Sequence, residues 1–300
     1  MAAFGRKVML FVVSALAVGA LAVPAPAQVD VSIPLPLPDV EAAELLDLAG
    51  VPLPPEGVTL QLHADFPVEA PLEIDGLGFT SLTADVTPDG GVTMLSATPA
   101  KAETTSSQVR LDECTDPAFT PTGPRWYAGD LPVKWRFRRS SAPDGLGRFR
   151  SQYALQRAHQ VWSRANTDCK AKDDVSIQFS FDGPSREKAG YDGVNVVDFG
   201  YLGGVALAMN YTLYQGGHIL EVDLRLNRND YRWTNRPGGK NRYQVANVAA
   251  HEIGHQIGLD DLSDPHGALT MFGRIGRGEM GNVTLGRGDL RGAAALSPDN

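Results

Sequence analysis

The chain has 300 residues, of which 43% are hydrophobic and 21% are charged, and its formal net charge is −8 at pH 7. This composition can supply an ordinary core for one or two domains, so it excludes a disordered or fibrous protein. The chain has no basic cluster and a single long apolar segment, so neither a nucleic-acid partner nor a membrane span in the mature form is expected.

The N-terminus has the features of a secretory signal peptide over residues 1–27. Arg6 and Lys7 precede an apolar run over residues 8–23, which is short for a membrane span, and Ala-Pro-Ala at 25–27 offers a small-residue cleavage site. We therefore expect a secreted, extracellular protein.

Residues 28–113 differ from the rest of the chain in charge. They carry 15 acidic and 2 basic residues, whereas residues 114–300 carry 20 acidic and 23 basic residues. Proline-rich stretches flank a short helix, EAAELLDLA, which Gly50 ends, and VTLQLHADFPVEA, FTSLTADVT and GVTMLSAT alternate like strands before the linker-like KAETTSSQ. The order and the charge complementarity predict a propeptide that is later removed. A permanent N-terminal binding domain is the alternative.

The chain has two cysteines, Cys114 and Cys169, and an oxidising compartment favours one disulfide between them. Closing this loop of 55 residues contributes roughly 4 kcal/mol by the chain-entropy relation. In the alternative, Cys114 is unpaired and its thiolate binds a metal ion in a latent precursor, although its surroundings, DECTDPAF, do not match the known sequence of such a latch.

From residue 114 onward, the patterns predict an α+β fold. LPVKWRFR, VSIQFSFDG, NVVDFGYL, VALAMNYTLY and HILEVDLRLN alternate like strands, and GRFRSQYALQRAHQVWSRAN is typical of an amphipathic helix. The apolar face of that helix is expected to contain Phe149, Tyr153, Leu155, Ala158 and Trp162. A second helix, from about Tyr243 to Ile257, is expected to pack on the mixed sheet.

The strongest functional signal is HEIGHQIGLDD at residues 251–261. Positions i and i+4 share one helical face, so His251 and His255 can hold one Zn²⁺, and Glu252 can deprotonate a zinc-bound water for metal-assisted hydrolysis. Gly258 can adopt the left-handed conformation that returns the chain towards the metal. The three fixed HExxH positions arise by chance in roughly one such chain in a hundred, and the added glycine and ligand candidate lower this to roughly one in ten thousand.

This segment, with ALTMF and TLGRGDLRGAAAL after it, resembles the metzincin clan of zinc endopeptidases and, within it, bacterial matrixin-like proteins. The resemblance covers about residues 131–296. It implies a metzincin-like catalytic domain in residues 114–300, with a twisted mixed sheet, a backing helix and an active-site helix, preceded by a small β-rich or irregular N-terminal region. It also implies that Met271 forms a tight turn beneath the metal.

The chain departs from the commoner metzincin pattern at Asp261, where most relatives have histidine. Snapalysin-like metzincins carry aspartate there, and a carboxylate oxygen binds zinc at about 2.0–2.2 Å. We therefore expect the metal ligands to be His251, His255 and Asp261. Asp260 and His266 are the alternatives.

The expected function is that of a monomeric zinc endopeptidase in which Glu252 activates the zinc-bound water, acting on protein or peptide substrates. The resemblance places the substrate-binding edge strand around Val205 to Tyr211. A secreted, non-catalytic zinc-binding or protein-binding module on the same scaffold is the alternative function.

The remaining candidates have weaker signals. His159 and His218 are expected to be packing or surface residues, and Glu279, in a glycine-rich segment, is a weak candidate for a gluzincin-type ligand. Arg287-Gly288-Asp289 spells a cell-attachment tripeptide, but Asp289 is better explained as an N-terminal helix residue that holds the methionine turn.

A calcium site is left open. The three aspartates that could contribute to one have no EF-hand-like spacing. They are Asp192, Asp198 and Asp223.

Overall fold

The computed structural model describes residues 41–74, 77–100, 110–170, 175–203, 206–279 and 283–298. All of them fall within one compact unit, Val31–Asn300. The predicted signal peptide, the predicted linker KAETTSSQ and Val205 lie outside the described residues.

Four α-helices and eleven strands are present in the described ranges. The helices are α1 (Ala42–Ala49), α2 (Arg148–Ser163), α3 (Val245–Gln256) and α4 (Arg287–Ala295). The strands are β1 (Thr59–Asp65), β2 (Leu72–Ile74), β3 (Leu77–Val86), β4 (Val92–Pro99), β5 (Val133–Phe137), β6 (Phe179–Pro184), β7 (Val196–Gly200), β8 (Ala208–Gln215), β9 (His218–Asn227), β10 (Trp233–Thr234) and β11 (Tyr243–Gln244).

One mixed sheet contains nine of these described strands, in the order β2-β3-β1-β8-β9-β7-β5-β6, with β4 paired to β3. The pairs among β5, β6, β7 and β9 are parallel, whereas β8 runs antiparallel to β9. This arrangement confirms the predicted α+β fold with a mixed sheet. The N-terminal strands extend the same sheet beyond β8, because β1 pairs antiparallel with β8 along its whole length.

The main hydrophobic core surrounds α3, which is buried along its whole length. Helix α2 packs against it, and the indole Nε1 of Trp162 donates a hydrogen bond of 2.7 Å to the carbonyl oxygen of Ala250. Large side chains from β5 and β7, such as Trp135 and Phe199, fill the space towards the sheet. The site-bearing helix is therefore held on several sides.

The apolar face predicted for α2 was wrong in part. Leu155 and Trp162 are buried as expected, but Phe149 and Tyr153 are 72% and 65% exposed. At about 100° per residue, these two aromatic residues stand roughly 120° and 160° around the helix axis from Leu155. The small residue Ala154 lies on the buried side instead.

The N-terminal strands have a second apolar cluster on one face. Leu60, Leu62 and Ala64 of β1 pack there with Leu45 of α1 and with Tyr211 of β8. Alternation along β1 places its polar residues on the opposite face, towards α3.

Cys114 and Cys169 form a disulfide, with their Cα atoms 5.2 Å apart. The predicted pairing is confirmed, and the alternative in which Cys114 binds the metal is excluded. None of the helices in the described ranges is both long enough and apolar enough to cross a membrane.

Candidate active site

Helix α3 brings the two motif histidines together. His251 and His255 lie one turn apart and are fully buried, and their Nε2 atoms are 3.1 Å from each other. The i, i+4 spacing predicts this arrangement directly.

Each imidazole is oriented by a backbone carbonyl. The Nδ1–H of His251 donates to the carbonyl oxygen of Thr270 at 2.7 Å, and that of His255 donates to Leu259 at 2.8 Å. With the proton on Nδ1, the lone pair of each Nε2 points into the space between the rings. Metal-binding histidines are held in this way in many proteins.

The chain leaves α3 at Gly258, whose φ of +97° lies in the left-handed region. A Cβ atom there would lie 2.5 Å from the carbonyl oxygen of Pro124, so a larger residue has no room. The turn brings Asp261 back to the histidines, with its Oδ1 3.1 Å from Nε2 of His251 and 3.9 Å from Nε2 of His255.

The two alternatives to Asp261 lie elsewhere. Oδ1 of Asp260 accepts hydrogen bonds of 2.9 Å from the hydroxyls of Thr83 and Ser96. His266 places its Nδ1 2.9 Å from Oδ2 of Asp116. Neither residue belongs to the cluster of ligand atoms around His251 in the described part of the chain.

A fourth ligand candidate, Asp65 on β1, was missed in the sequence. Its Oδ2 lies 3.3 Å from Nε2 of His251, and the ligand atoms of Asp65, His251, His255 and Asp261 all lie within 4.8 Å of one another. The alternation in LQLHADF offered one signal, since it places His63 and Asp65 on the same polar face of a strand.

This donor set fits a zinc ion. Two imidazole nitrogens and two carboxylate oxygens are ordinary zinc ligands, and atoms bound at about 2.0–2.1 Å in a tetrahedron lie roughly 3.3 Å apart. Three of the separations given above are 3.1 to 3.3 Å. Oδ2 of Asp65 and Oδ1 of Asp261 are buried and accept no hydrogen bond from the described residues.

The electrostatics of the cluster also call for a cation. Burial alone would lower the pKa of His251, but the negative charges of Asp65 and Asp261 raise it well above its usual value. A positive charge, supplied by a proton or by a metal ion, is therefore stabilised between these carboxylates.

Glu252 lies beside this cluster and is fully buried. Burial, followed by the negative charge of Asp65, raises the pKa of Glu252 well above its usual value. Neither carboxylate oxygen of Glu252 forms a hydrogen bond to the described residues, so neither is taken up by a structural contact.

A tight turn beneath α3 contains Met271. The backbone of Gly254 faces this side chain so closely that a Cβ atom on the glycine would lie 2.1 Å from the Met271 sulfur. Asp289 of α4 accepts hydrogen bonds from the backbone N–H groups of Thr270 at 2.8 Å and Met271 at 3.2 Å. Since Thr270 also orients His251, the turn links α4 to the candidate ligands.

Comparison with known families agrees with this geometry, because the matrixin family model matches residues 125–296. The chain belongs to the matrixin family. Matrixins are zinc metalloendopeptidases, and the resemblance to the metzincin clan is confirmed at this level.

Mammalian collagenases are similar to this matrixin in sequence. The interstitial collagenase of Oryctolagus cuniculus is 31% identical over 186 residues, and that of Sus scrofa is 30% identical over 183 residues. The neutrophil collagenase of Homo sapiens is 27% identical over 183 residues. Each match covers 59% of this chain and 34% of the collagenase, so the chain spans about a third of the length of these relatives.

The other histidines of the matrixin chain have structural partners. His218 lies 2.8 Å from Asp130 through its Nε2 and stacks on Tyr127. His159 is buried and stacks on Trp135 with a ring-centroid distance of 3.7 Å. Both positions agree with the predicted packing roles.

The aspartates considered for calcium bind protein groups. Asp198 forms an ion pair of 2.9 Å with Arg225, and Asp223 accepts backbone hydrogen bonds from Gly190 and Val196. Asp192 accepts one from Val194. They form no further candidate metal cluster within the described ranges.

Proposed function

We propose that this matrixin is a secreted zinc endopeptidase in which His251, His255 and Asp261 bind the metal and Glu252 is the general base. The observation that carries the proposal is the convergence of three ligand atoms beside a buried glutamate with two free oxygens. Aspartate, in place of the commoner histidine, then supplies the third ligand.

The bound zinc ion would supply a Lewis acid that polarises the scissile carbonyl and acidifies water. Glu252 then takes the proton from the attacking water and delivers it to the leaving nitrogen. Residues Thr270 and Leu259 hold the two imidazoles in the required tautomer throughout. Once β1 is displaced, strand β8 would offer backbone groups on which an extended peptide can align by strand addition.

Residues 28–113 are proposed to be a propeptide. His251, Glu252 and His255 have no solvent-exposed surface, and β1 covers β8, so a peptide cannot reach the site while the N-terminal strands are in place. Cleavage of substrate therefore requires their displacement or removal.

The proposal is tested by purifying the secreted, processed protein and measuring casein and peptide-library cleavage. Glu252→Gln is expected to lower the rate at least about a hundredfold, because general-base catalysis contributes about 10²–10⁴-fold. Zinc content should be retained in this variant. Glu279→Gln is the matched control, since this carboxylate is exposed and accepts a hydrogen bond only from Gly276 among the described contacts.

Two results would contradict the proposal. Full activity of Glu252→Gln, or activity that resists a zinc chelator, would remove the assigned mechanism. A processed, zinc-loaded protein that cleaves no peptide in the library would indicate the non-catalytic binding module.

A further inference from the structure

Strand β1 occupies the outer side of β8, where an extended peptide would pair. The two strands are antiparallel and in register from Thr59 opposite Tyr214 to Asp65 opposite Ala208. In the sheet formed by β5 to β9, β8 is the terminal strand on this side. The chain thus fills its own peptide-binding edge.

The alternation of β1 directs one set of side chains into the site. Asp65 is only 3% exposed, and its Oδ2 lies 3.3 Å from Nε2 of His251. His63, two residues earlier, stacks on His255 with a ring-centroid distance of 4.1 Å. The last turns of α3 are therefore covered by side chains from β1.

Burial of the Asp65 carboxylate needs a compensating partner. A buried carboxylate is costly unless it is paired with charge or binds a metal. Oδ2 accepts no hydrogen bond from the described residues, and it lies within 4.8 Å of the other three candidate ligand atoms. A zinc ion held by His251, His255 and Asp261 would satisfy this oxygen.

The neighbouring strands β3 and β4 reinforce the same contact. The hydroxyls of Thr83 and Ser96 donate to Oδ1 of Asp260, and the same oxygen accepts the backbone N–H of Asp261 at 2.9 Å. The N-terminal region thus contacts the segment that carries the proposed third ligand, in addition to the metal position itself.

We propose that β1 is an internal inhibitor of this matrixin, and that Asp65 holds it in place as a fourth protein ligand to the zinc ion. This inference rests on the proposed function, because it uses the same metal and the same three ligands. We call Asp65 the latch, because its carboxylate would hold β1 at the metal. No cysteine thiolate can take this role, since Cys114 and Cys169 are joined in the disulfide.

The first experiment measures the metal coordination of the full chain. The protein is prepared in a Glu252→Gln background, so that it cannot process itself, and is loaded with zinc or cobalt. X-ray absorption of the zinc form is expected to give four protein ligands, and Asp65→Asn is expected to leave three protein ligands and one water. Acetohydroxamate should change the visible spectrum of the cobalt form only in the Asp65→Asn variant.

The second experiment measures how fast a chromophoric chelator removes zinc. Asp65→Asn is expected to speed zinc removal at least about tenfold. Mutation of a residue that only contacts a metal ligand already lowers metal affinity about 10–100-fold, and Asp65 is proposed to be a ligand itself. Asp85→Asn is the matched control, since Asp85 lies on the same polar face but is bonded to Gln61 and Tyr214. The control variant should lose zinc to the chelator at the same rate as the parent protein.

The outcomes separate the latch from the enzyme. Three protein ligands in the parent chain, or equal chelation rates for Asp65→Asn and Asp85→Asn, would overturn the latch even if the processed protein cleaves peptides. Four ligands in the parent, with no cleavage by the processed form, would leave the latch standing and refute the enzyme. If Asp65→Asn does not fold, the X-ray absorption spectrum of the parent protein still tests whether the zinc ion has a fourth protein ligand.

Discussion

At the scale of single residues, the candidate site combines two buried imidazoles with several carboxylate groups. The histidines could be assigned from the sequence because a helix fixes which residues share a face. Asp261 could not be assigned from helical spacing alone, since its position depends on the left-handed turn at Gly258. The structure places its Oδ1 3.1 Å from His251 and places His266 beside Asp116 instead.

The proposed third ligand is tested by exchanging the two candidates separately. Asp261→Ala is expected to lose most of the bound zinc in the presence of a competing chelator, because a direct ligand is removed. His266→Ala is expected to keep it. Metal content after dialysis measures the difference, and the opposite pattern would show that the ligand assignment is wrong.

At the scale of elements, α4 supports α3 through the methionine turn. Asp289 was expected to hold this turn, and it accepts hydrogen bonds from Thr270, Met271 and Gly286. It is 1% exposed, so it is buried in the fold and unavailable as part of a cell-attachment tripeptide. Asp289 contacts Thr270, whose carbonyl oxygen accepts the hydrogen bond from His251, so we expect Asp289 to act as a positioning residue.

Asp289→Asn is expected to lower zinc affinity about 10–100-fold, because partners of ligand-orienting groups have effects of this size. The amide offers one acceptor oxygen where the carboxylate offers two. Competition with a chromophoric chelator measures the affinity. The exposed neighbour Arg287, changed to Ala, is the control. Equal affinities of the two variants would mean that the turn does not position His251.

Helix α2 shows why the hydrophobic pattern alone misassigned a helix face. Phe149 and Tyr153 are large and apolar, but the buried side of the helix contains Ala154, Leu155 and Ala158. The distance between two packed helices depends on the side chains at their contact. The hydrophobic pattern of one helix does not show where its partner requires small side chains.

At the scale of the whole molecule, one buried histidine makes stability depend on pH. Burial lowers the pKa of His159 to about 3, against 6.5 in an unfolded chain. Between pH 6.5 and pH 3, His159 is therefore protonated in the unfolded chain but stays neutral in the folded chain. Above about pH 6.5 the titration of His159 therefore costs no stability. As the pH drops from there towards 3, it lowers the free energy of unfolding, by about 2 kcal/mol between pH 7 and pH 5.

His159→Phe should remove this part of the pH dependence, since phenylalanine keeps the stack on Trp135 and cannot titrate. Urea unfolding at pH 7 and pH 5, with the same zinc concentration throughout, measures the loss in each protein. The parent is expected to lose about 2 kcal/mol more than the variant. An equal loss in both would contradict the buried neutral state of His159.

The sequence by itself determined the α+β class, the shared helical face of the two proposed histidine ligands on α3, the neighbouring glutamate and the disulfide. Each of these follows from local periodicity, from fixed spacing or from having only two cysteines. The tertiary structure alone decided that β1 extends the sheet beside β8 and that Asp65 meets His251. These contacts join distant parts of the chain. Alternation along β1 shows which of its side chains share a face, but it does not show which strand β1 pairs with.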